Sequence, residues 1–445
     1  MSDAPRSLVV VRATPLYLAV GLVVAGLAAG CTNDGVNTDG NASGGSTGGA
    51  SGETTAATTN GHSTDTGSDG ALDDTSTGPG GSEESAATGS SDGSDSEATG
   101  SSTGATDTGG FVECPDGDHY CADGCCPWTT EVAIIGTGGV LALDTQDYPH
   151  VVVRHGSSNT ARSWRFTGAE WVFQTIQEVP PNGPISNTML LDDNDLPHAA
   201  FPYSSGLRYA SYDGSSWTAE QVDTGLIRTP SLARDSQGTL GISYSELMVD
   251  DLRFAQRTEK GWMVEVVDEI GAVGRDSSLA WGSAGIPHIS YYNETTADLM
   301  HATRVGLNWA TETVASEGDV GTDTSIAVDT DGNLAIAYYD VTSADLRLAR
   351  RDAGGVWSTE LVDDAGDVGR SSSLQFDNEG VPHIAYHDAT NLRPMYASVV
   401  EGQWRVFVVD PSGDAYEDTD LVLDSLGQPH IIYSSTSAEL HYVRW

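Results

Sequence analysis

The amino-acid sequence predicts an all-β fold, a seven-bladed β-propeller over residues 128–445. From residue 128 the chain repeats about every 47 residues, with equivalent positions after the first strand of each unit at Asp144, Asp192, Asp235, Gly282, Asp329, Asp377 and Asp424. Each unit holds four short runs of alternating apolar residues separated by Gly, Asp, Asn and Ser, which is typical of antiparallel strands joined by turns. Four strands in a unit of this length indicate a propeller blade.

The two ends of the repeat predict how the ring closes. The last unit stops after its third strand, at residues 439–445, and the missing fourth strand is found at residues 128–133, which match residues 357–362 position by position. The tryptophan that begins the fourth strand then occurs seven times, at Trp128, Trp171, Trp217, Trp262, Trp309, Trp357 and Trp404. We expect the N-terminal strand to pair into the last blade, because this pairing removes the exposed edges of an open sheet.

The repeated motifs also carry a family resemblance. Residues 128–445 resemble a group of secreted bacterial propellers with recurrent Pro-His-Ile-x-Tyr-Tyr-Asp repeats, distantly related to sialidase-like and bacterial-neuraminidase-repeat folds. The sialidase aspartate box, Ser-x-Asp-x-Gly-x-x-Trp, is kept in degenerate form at residues 211–217. This resemblance implies the propeller fold, whereas it assigns no chemistry.

Residues 1–30 have the parts of an export signal: Arg6 and Arg12 in a positive leader, an apolar run over residues 16–29, and small residues before Cys31. The apolar run is shorter than the ~20 residues that span a bilayer. Residues 27–31, Leu-Ala-Ala-Gly-Cys, resemble a bacterial lipobox. That resemblance implies acylation of Cys31 and a lipid-anchored protein, and Thr32 after the cysteine favours the outer membrane or cell surface. The alternative is an ordinary secretory signal with a chance cysteine.

Residues 31–110 are predicted to be a disordered tether. After Cys31 they consist almost entirely of Gly, Ser, Thr, Ala and Asp, with 13 acidic residues and no Lys or Arg. Such a segment cannot bury enough apolar surface to offset the entropy lost on ordering. An acidic interaction tail or a glycosylated stalk has the same composition and is the alternative interpretation.

Residues 111–127 form a predicted cysteine-rich knot that contains Cys114, Cys121, Cys125 and Cys126. An even number of cysteines in an exported chain indicates two disulfides. Adjacent Cys125 and Cys126 are poorly placed to pair with each other, which leaves 114–125 with 121–126, or 114–126 with 121–125. A zinc site that includes His119 is the rival interpretation, although the spacing lacks the paired Cys-x-x-Cys of common zinc modules.

The charge of the chain limits its partners. It has 64 acidic and 20 basic residues, a formal net charge of −44, which argues against nucleic acid. The expected partners are a membrane, through the lipid anchor, and a glycan or protein ligand, with the protein itself a monomer.

Two repeated residue types have a structural interpretation. Pro-His recurs at His150, His198, His288, His383 and His430, with Gly241 and Ala335 in the other two units. A catalytic histidine is needed once, so five copies at one strand start indicate a blade-stabilising hydrogen bond or packing position rather than metal binding or catalysis. The fixed outer-strand place of the seven tryptophans favours inter-blade packing over sugar stacking.

The candidate ligand site is one mouth of the central channel. Loops between blades lead into the innermost strands, and their ends supply the candidate ligand-binding residues Arg275, Asp276, Thr322, Asp323, Arg370, Tyr416 and Asp418. Loops between second and third strands should open on the same face and carry Glu246, Asn293, Asp340, Asp388, Asp251, Asp298 and Asp345. Carboxylates and hydroxyls on one face suit a polyol or a calcium ion, and calcium is the one cofactor that the sequence suggests. The alternative is that aspartate and glycine only cap strands and form turns.

The function expected from these features is binding of a glycan, peptide or cation by a surface-tethered module. A glycoside hydrolase or lyase of sialidase-like fold is the alternative from another class, and a structural envelope component is the third. No Ser-His-Asp elbow, Walker loop or His-Glu-x-x-His motif occurs, and Arg275 and Arg370 have no third arginine in a matching motif. The sequence therefore identifies no catalytic residue.

Overall fold

The computed structural model describes residues 10–11, 119–121, 124–126, 128–179, 187–352 and 354–444. Cys31, Cys114 and most of residues 1–127 lie outside the described residues, as do the side chains of Cys121, Cys125 and Cys126. Acylation and disulfide pairing therefore stay predictions. No helix among the described residues is long and apolar enough to cross a membrane.

Apart from three short strands, the described strands form seven four-stranded antiparallel blades, which confirms the predicted fold. Blade 1 consists of Thr137–Leu143, Pro149–His155, Thr160–Phe166 and Trp171–Glu178. Blade 2 consists of Thr188–Leu191, Pro197–Tyr203, Gly206–Tyr212 and Trp217–Thr224. Blade 3 consists of Ile227–Arg234, Leu240–Glu246, Asp251–Thr258 and Gly261–Asp268. Blade 4 consists of Val273–Trp281, Pro287–Asn293, Asp298–Val305 and Asn308–Ala315.

The remaining blades follow the same order. Blade 5 consists of Val320–Val328, Leu334–Asp340, Asp345–Arg351 and Trp357–Asp363. Blade 6 consists of Val368–Phe376, Pro382–Asp388, Arg393–Val400 and Gln403–Val408. Blade 7 consists of Ala415–Leu423, Pro429–Ser435, Glu439–Arg444 and the N-terminal strand Thr129–Ile135. The short strands Val10–Val11, His119–Cys121 and Gly124–Cys126 and the 3₁₀ turns Gly156–Ser158 and Ser283–Gly285 complete the elements.

The N-terminal strand closes the ring as predicted. It pairs antiparallel with the third strand of blade 7, from Glu439 opposite Ile135 to Arg444 opposite Thr129. Ile134 is 3% exposed and packs in one apolar cluster with Leu440. The first and last described strands of the propeller are thus held together by backbone hydrogen bonds and by side-chain burial.

The core lies between neighbouring blades rather than in one centre, since each apolar cluster joins two consecutive blades. A glycine at the entry to several inner strands permits this close approach. Gly321 has a φ of +103°, and a Cβ there would lie 2.6 Å from Cα of Leu299 in the preceding blade. The same geometry recurs at Gly274 and Gly369, so the repeated Val-Gly of the entry loops has a steric cause.

The tryptophans of the fourth strands lie at blade junctions, in agreement with the structural interpretation. Three of them donate a hydrogen bond from Nε1 to a glutamate of the preceding blade at 2.9–3.0 Å: Trp262 to Glu220, Trp309 to Glu265 and Trp357 to Glu312. An arginine lies over each of these rings, with its Cζ 5.0–5.9 Å from the centroid, namely Arg257, Arg304 and Arg351. Each tryptophan and its arginine bind the same glutamate of the preceding blade, so the hydrogen bond and the ion pair join one blade to the next, while the cation–π contact lies within the blade.

The repeated histidines likewise have structural partners. Four of them place Nε2 3.4–3.7 Å from an aspartate: His150 with Asp144, His198 with Asp192, His383 with Asp377 and His430 with Asp424. Nδ1 faces a third-strand residue, which is Tyr209 for His198, Tyr396 for His383, Tyr442 for His430 and His301 for His288. Burial lowers the pKa of all five histidines below its ordinary value, which favours the neutral imidazole.

The two units without histidine support the same interpretation. Gly241 and Ala335 occupy the histidine position there, and the third-strand residues that correspond to the tyrosines are Phe254 and Leu348. Neither side chain has a hydroxyl group. The histidine and its polar partner are thus replaced together, as expected of a packing unit.

Candidate functional site: the channel mouth

A cavity of about 300 Å³ lies on the axis of the propeller, lined by all seven innermost strands. Its polar lining includes four carboxylates, Asp276, Asp323, Asp418 and Asp420, together with serine and threonine residues. The first three of these aspartates occupy one equivalent position in blades 4, 5 and 7. The channel therefore presents negative charge and hydroxyl groups around a space near the lower limit of small-ligand pockets.

A repeated bulge in the inner strands brings these residues to the cavity. Between Arg275 and Ser278 the pairing with the second strand shifts register, and Asp276 in the bulge has a φ of +54°. The left-handed conformation recurs at the equivalent position in five other blades, at Gly138, Thr229, Asp323, Ser371 and Asp418. Such conformations are costly for residues other than glycine and concentrate at functional sites, and aspartate tolerates them better than most residues.

Much of the hydroxyl lining is used to join blades. The hydroxyl two residues after the bulge accepts a hydrogen bond from a backbone N–H of the next blade at 3.0–3.2 Å, in the pairs Thr188 with Leu232, Ser231 with Leu279, Ser278 with Ile326, Ser325 with Leu374, and Ser373 with Leu421. A second set donates from the residue after the bulge to a carbonyl of the preceding blade, as in Thr324 to Asp276 and Ser372 to Asp323. The innermost strands are therefore linked directly around the channel.

In blade 7 the residue two positions after the bulge is Asp420 instead of a serine or threonine. It lies at the junction between blade 7 and blade 1. Its Oδ2 accepts from the backbone N–H of Leu141 at 2.8 Å, and its Oδ1 accepts from the hydroxyl of Ser373 at 2.9 Å. Burial raises the pKa of Asp420 to about 6, although these hydrogen bonds favour the charged form. The junction that closes the ring thus holds a carboxyl group that is poorly solvated when ionised.

Asp420→Asn is expected to raise the melting temperature at pH 7.5 by about 2–4 °C, because the amide oxygen keeps the bond to Leu141 without a desolvated charge. The folded state holds the proton more tightly than the unfolded state, whose pKa is near 3.8. Ionisation therefore destabilises the wild type as pH rises through this window. Thermal melts at pH 4.0 and 7.5 measure this, and the gain should vanish at pH 4. An equal gain at both values would contradict it.

The cavity brings together three of the seven predicted ligand residues. Asp276 accepts from the backbone N–H of Asp323 at 3.2 Å through Oδ2, and burial raises the pKa of Asp276. Asp418 accepts from the backbone N–H of Gly138 at 3.3 Å through Oδ2. These aspartates both line the channel and contribute to the joints between blades.

The other four predicted ligand residues lie outside this cavity. Arg275 is half-exposed and lies near Asp276 and Glu294, with Nε–O distances of 3.5 and 4.0 Å. Arg370 pairs with Asp367 at 2.8 Å and lies over the ring of Tyr339. Thr322 is buried, and Tyr416 is 55% exposed. The axial cavity is lined by the bulge residue and the two residues after it, so these four lie outside it, and ligand binding by any of the seven stays a prediction.

The acidic side chains of the loops between second and third strands cap turns, which agrees with the alternative interpretation given above. Asp340 accepts from the backbone N–H groups of Thr342 and Ser343, and Asn293 caps the equivalent turn in blade 4. Glu246 accepts from the backbone N–H of Leu226 at 3.1 Å. These side chains position the loops of the mouth, and their oxygens are largely engaged.

No group of three or more His, Cys, Asp or Glu side chains is arranged to hold a metal ion within the described part of the chain. The four channel carboxylates are therefore not clustered as a calcium site. Sequence reasoning missed Asp420 and the hydroxyl rings. A small polar residue does recur two positions after the bulge, from Thr188 to Ser373, and this period could have revealed them.

No family model matches the chain, and no curated protein matches it in sequence. Solved structures resemble it at low identity. A polysaccharide lyase, PL25 ulvan lyase bound to -[GlcA(1-4)Rha3S]-, has 13% identity and a TM-score of 0.47, covering 71% of this chain and 95% of that one. SapL1 lectin in complex with alpha methyl fucoside has 12% identity and a TM-score of 0.45, covering 63% and 99%. A leech intramolecular trans-sialidase has 12% identity and a TM-score of 0.43, covering 71% and 68%.

Proposed function

We propose that this protein is an extracytoplasmic binding module that presents the channel mouth to a glycan. The observation that carries the proposal is the set of aligned left-handed bulges, which brings Asp276, Asp323 and Asp418 to one axial cavity. Strained backbone at equivalent positions is retained where the surrounding structure fixes it, and it is common at binding sites. Surface tethering through Cys31 remains the part of the proposal that rests on the sequence alone.

The charge of the cavity selects the kind of glycan. Four carboxylates repel anionic groups and accept hydrogen bonds, so the cavity favours the hydroxyl groups of a neutral sugar or the ammonium of an amino sugar. A volume of about 300 Å³ accommodates a single sugar residue rather than a long chain. The rest of a glycan would extend over the loops of the mouth.

A binding function is preferred to hydrolysis because Asp276, Asp418 and Asp420 are each fixed by structural hydrogen bonds, and the carboxylate oxygens left over in the channel can accept from a ligand. Asp420 accepts hydrogen bonds from two neighbouring strands, and Asp276 accepts one from the next blade. A glycosidase needs a proton donor and a second carboxyl group free to act on the substrate. No described contact favours such a pair, so a hydrolase or lyase remains the second candidate.

A glycan array probed with the protein, with and without calcium, is expected to give calcium-independent binding of neutral or amino sugars. Asp276→Asn together with Asp323→Asn should weaken binding about tenfold or more, since each carboxylate contributes a charge-assisted hydrogen bond. Asp331→Asn removes an exposed acid away from the channel and is the matched control. Equal binding by both variants would overturn the assignment of the channel, and turnover of a bound glycan would favour the hydrolase or lyase.

A further inference from the structure

A tyrosine–aspartate hydrogen bond is repeated at four of the blade junctions. In each, a buried tyrosine of the second strand donates to an aspartate at the end of the preceding blade's fourth strand. The pairs are Tyr244 with Asp223, Tyr291 with Asp268, Tyr386 with Asp363, and Tyr433 with Asp410. A carboxylate at this position is therefore a regular part of the repeat.

The junction between blades 4 and 5 keeps the tyrosine and lacks the carboxylate. Backbone pairing places Leu252 opposite Asp268 in blade 3, Leu299 opposite Ala315 in blade 4 and Leu346 opposite Asp363 in blade 5. Ala315 thus occupies the aspartate position.

Tyr338, the tyrosine of this junction, is 1% exposed. Thr359 lies beside it in the lining of one cavity. Within the described residues the carboxylate partner alone is missing.

A cavity of about 410 Å³ lies at this junction. It is lined by Ala315 and Tyr338, by Arg347, and by the polar residues Asp340, Ser358 and Thr359. The cavity thus combines a phenol proton without a carboxylate acceptor, a guanidinium group and hydroxyl groups. These are the groups that recognise a carboxylate attached to a hydroxylated body.

The junction between blades 2 and 3 shows what this space holds when it is filled. Arg253 lies opposite Tyr244 in the strand pairing, as Arg347 lies opposite Tyr338. There Asp223 accepts from the hydroxyl of Tyr244 at 2.8 Å and from Nη1 of Arg253 at 3.1 Å. A tyrosine and an arginine already bind one carboxylate in this chain with this arrangement.

We infer that the cavity between blades 4 and 5 is a second ligand site, which binds the carboxylate of an acidic monosaccharide. The ligand carboxylate takes the place that Asp223 has at the other junction, and the sugar ring lies against Ser358 and Thr359. This inference rests on the junction geometry and is independent of the glycan proposed for the channel.

The acids near the cavity do not exclude a carboxylate. Arg347 pairs with Asp340 at 2.8 Å, and Asp345 is 3.6 Å from the same guanidinium group. At the filled junction Glu246 and Asp251 occupy the positions of these two aspartates, and Asp223 is nevertheless accommodated. Glu317 is an additional acid, but it is exposed at the rim, where solvent and salt screen its charge.

Titration calorimetry of the full chain with sodium glucuronate and with glucose tests the inference. We expect saturable binding of glucuronate at one site and no detectable binding of glucose there. Ala315→Asp should abolish glucuronate binding, because its own carboxylate fills the place. Leu307→Asp, which adds the same charge at a turn residue that is 97% exposed, should bind as the wild type does.

A second variant tests the inference even if Ala315→Asp does not fold. Tyr338→Phe removes only the hydroxyl and should weaken glucuronate binding about tenfold, whereas Asp276→Asn with Asp323→Asn in the channel should leave it unchanged. Equal binding of glucose and glucuronate by this channel variant, or unchanged glucuronate binding by Ala315→Asp or Tyr338→Phe, would overturn the inference. Loss of glucuronate binding in the channel variant would assign the carboxylate to the channel instead and overturn it equally.

Discussion

Deleting residues 111–135 is expected to lower the melting temperature of the propeller by more than about 10 °C or to leave it insoluble. The deletion removes the fourth strand of blade 7 and leaves Glu439–Arg444 as an unpaired edge. It also exposes the apolar surface that buries Ile134 against Leu440. Burying a side chain of this size contributes about 1.5–3 kcal/mol, and the lost backbone pairing adds to that loss. Circular dichroism melts of the purified variants measure the effect.

The matched control is deletion of residues 32–110, because none of the described strands comes from that segment. Its melting temperature should stay within about 2 °C of the wild type. A point variant, Ile134→Asp, should reproduce part of the loss without shortening the chain, since it places an unpaired charge at a buried position. If both deletions melted alike, ring closure by the N-terminal strand would not be what holds the propeller together.

The fold could be predicted because its determinants are periodic in the sequence. A strand pattern that recurs seven times fixes the number of blades, and a fourth-strand match at residues 128–133 reveals the closure before any contact is known. Repetition also identified the histidines correctly as structural, because a catalytic group is needed once. The residues that the repeated side chains contact could not be predicted in the same way. The glutamate that accepts from Trp309 lies 44 residues earlier, in another blade.

The candidate site could be predicted only in part, because its geometry depends on a bulge. In a regular strand, alternation decides which side chains face the channel. The register shift between Arg275 and Ser278 breaks this alternation, so a regular pattern assigns the wrong residues to the channel. The sequence therefore placed both Arg275 and Asp276 at the channel, whereas in the structure Asp276 alone of the two lines the axial cavity, with Arg275 3.5 Å from its carboxylate. Asp420 was missed because it occupies a position that five other blades fill with serine or threonine.

The repeated tyrosine–aspartate bonds should contribute measurably to stability, most of all at the junction between blades 5 and 6. Tyr386 is fully buried, and its hydroxyl donates to Asp363 at 2.6 Å. Asp363→Ala leaves this hydroxyl buried without its acceptor, which is expected to cost about 1–3 kcal/mol in the free energy of unfolding.

A double-mutant cycle separates this bond from other effects. Tyr386→Phe removes the donor alone, and Asp363→Ala in that background should cost about 1 kcal/mol less than it does in the wild type, because no hydroxyl is then left unsatisfied. Tyr338→Phe is the control within the chain, since its hydroxyl has no aspartate and its loss should cost less than the loss from Tyr386. Urea unfolding followed by tryptophan fluorescence gives the four free energies of the cycle and that of the control. Strict additivity of Tyr386→Phe and Asp363→Ala would show that the carboxylate stabilises the junction by some route other than this hydrogen bond. An equal cost for the two tyrosine variants would remove the distinction between filled and unfilled junctions on which the second ligand site depends.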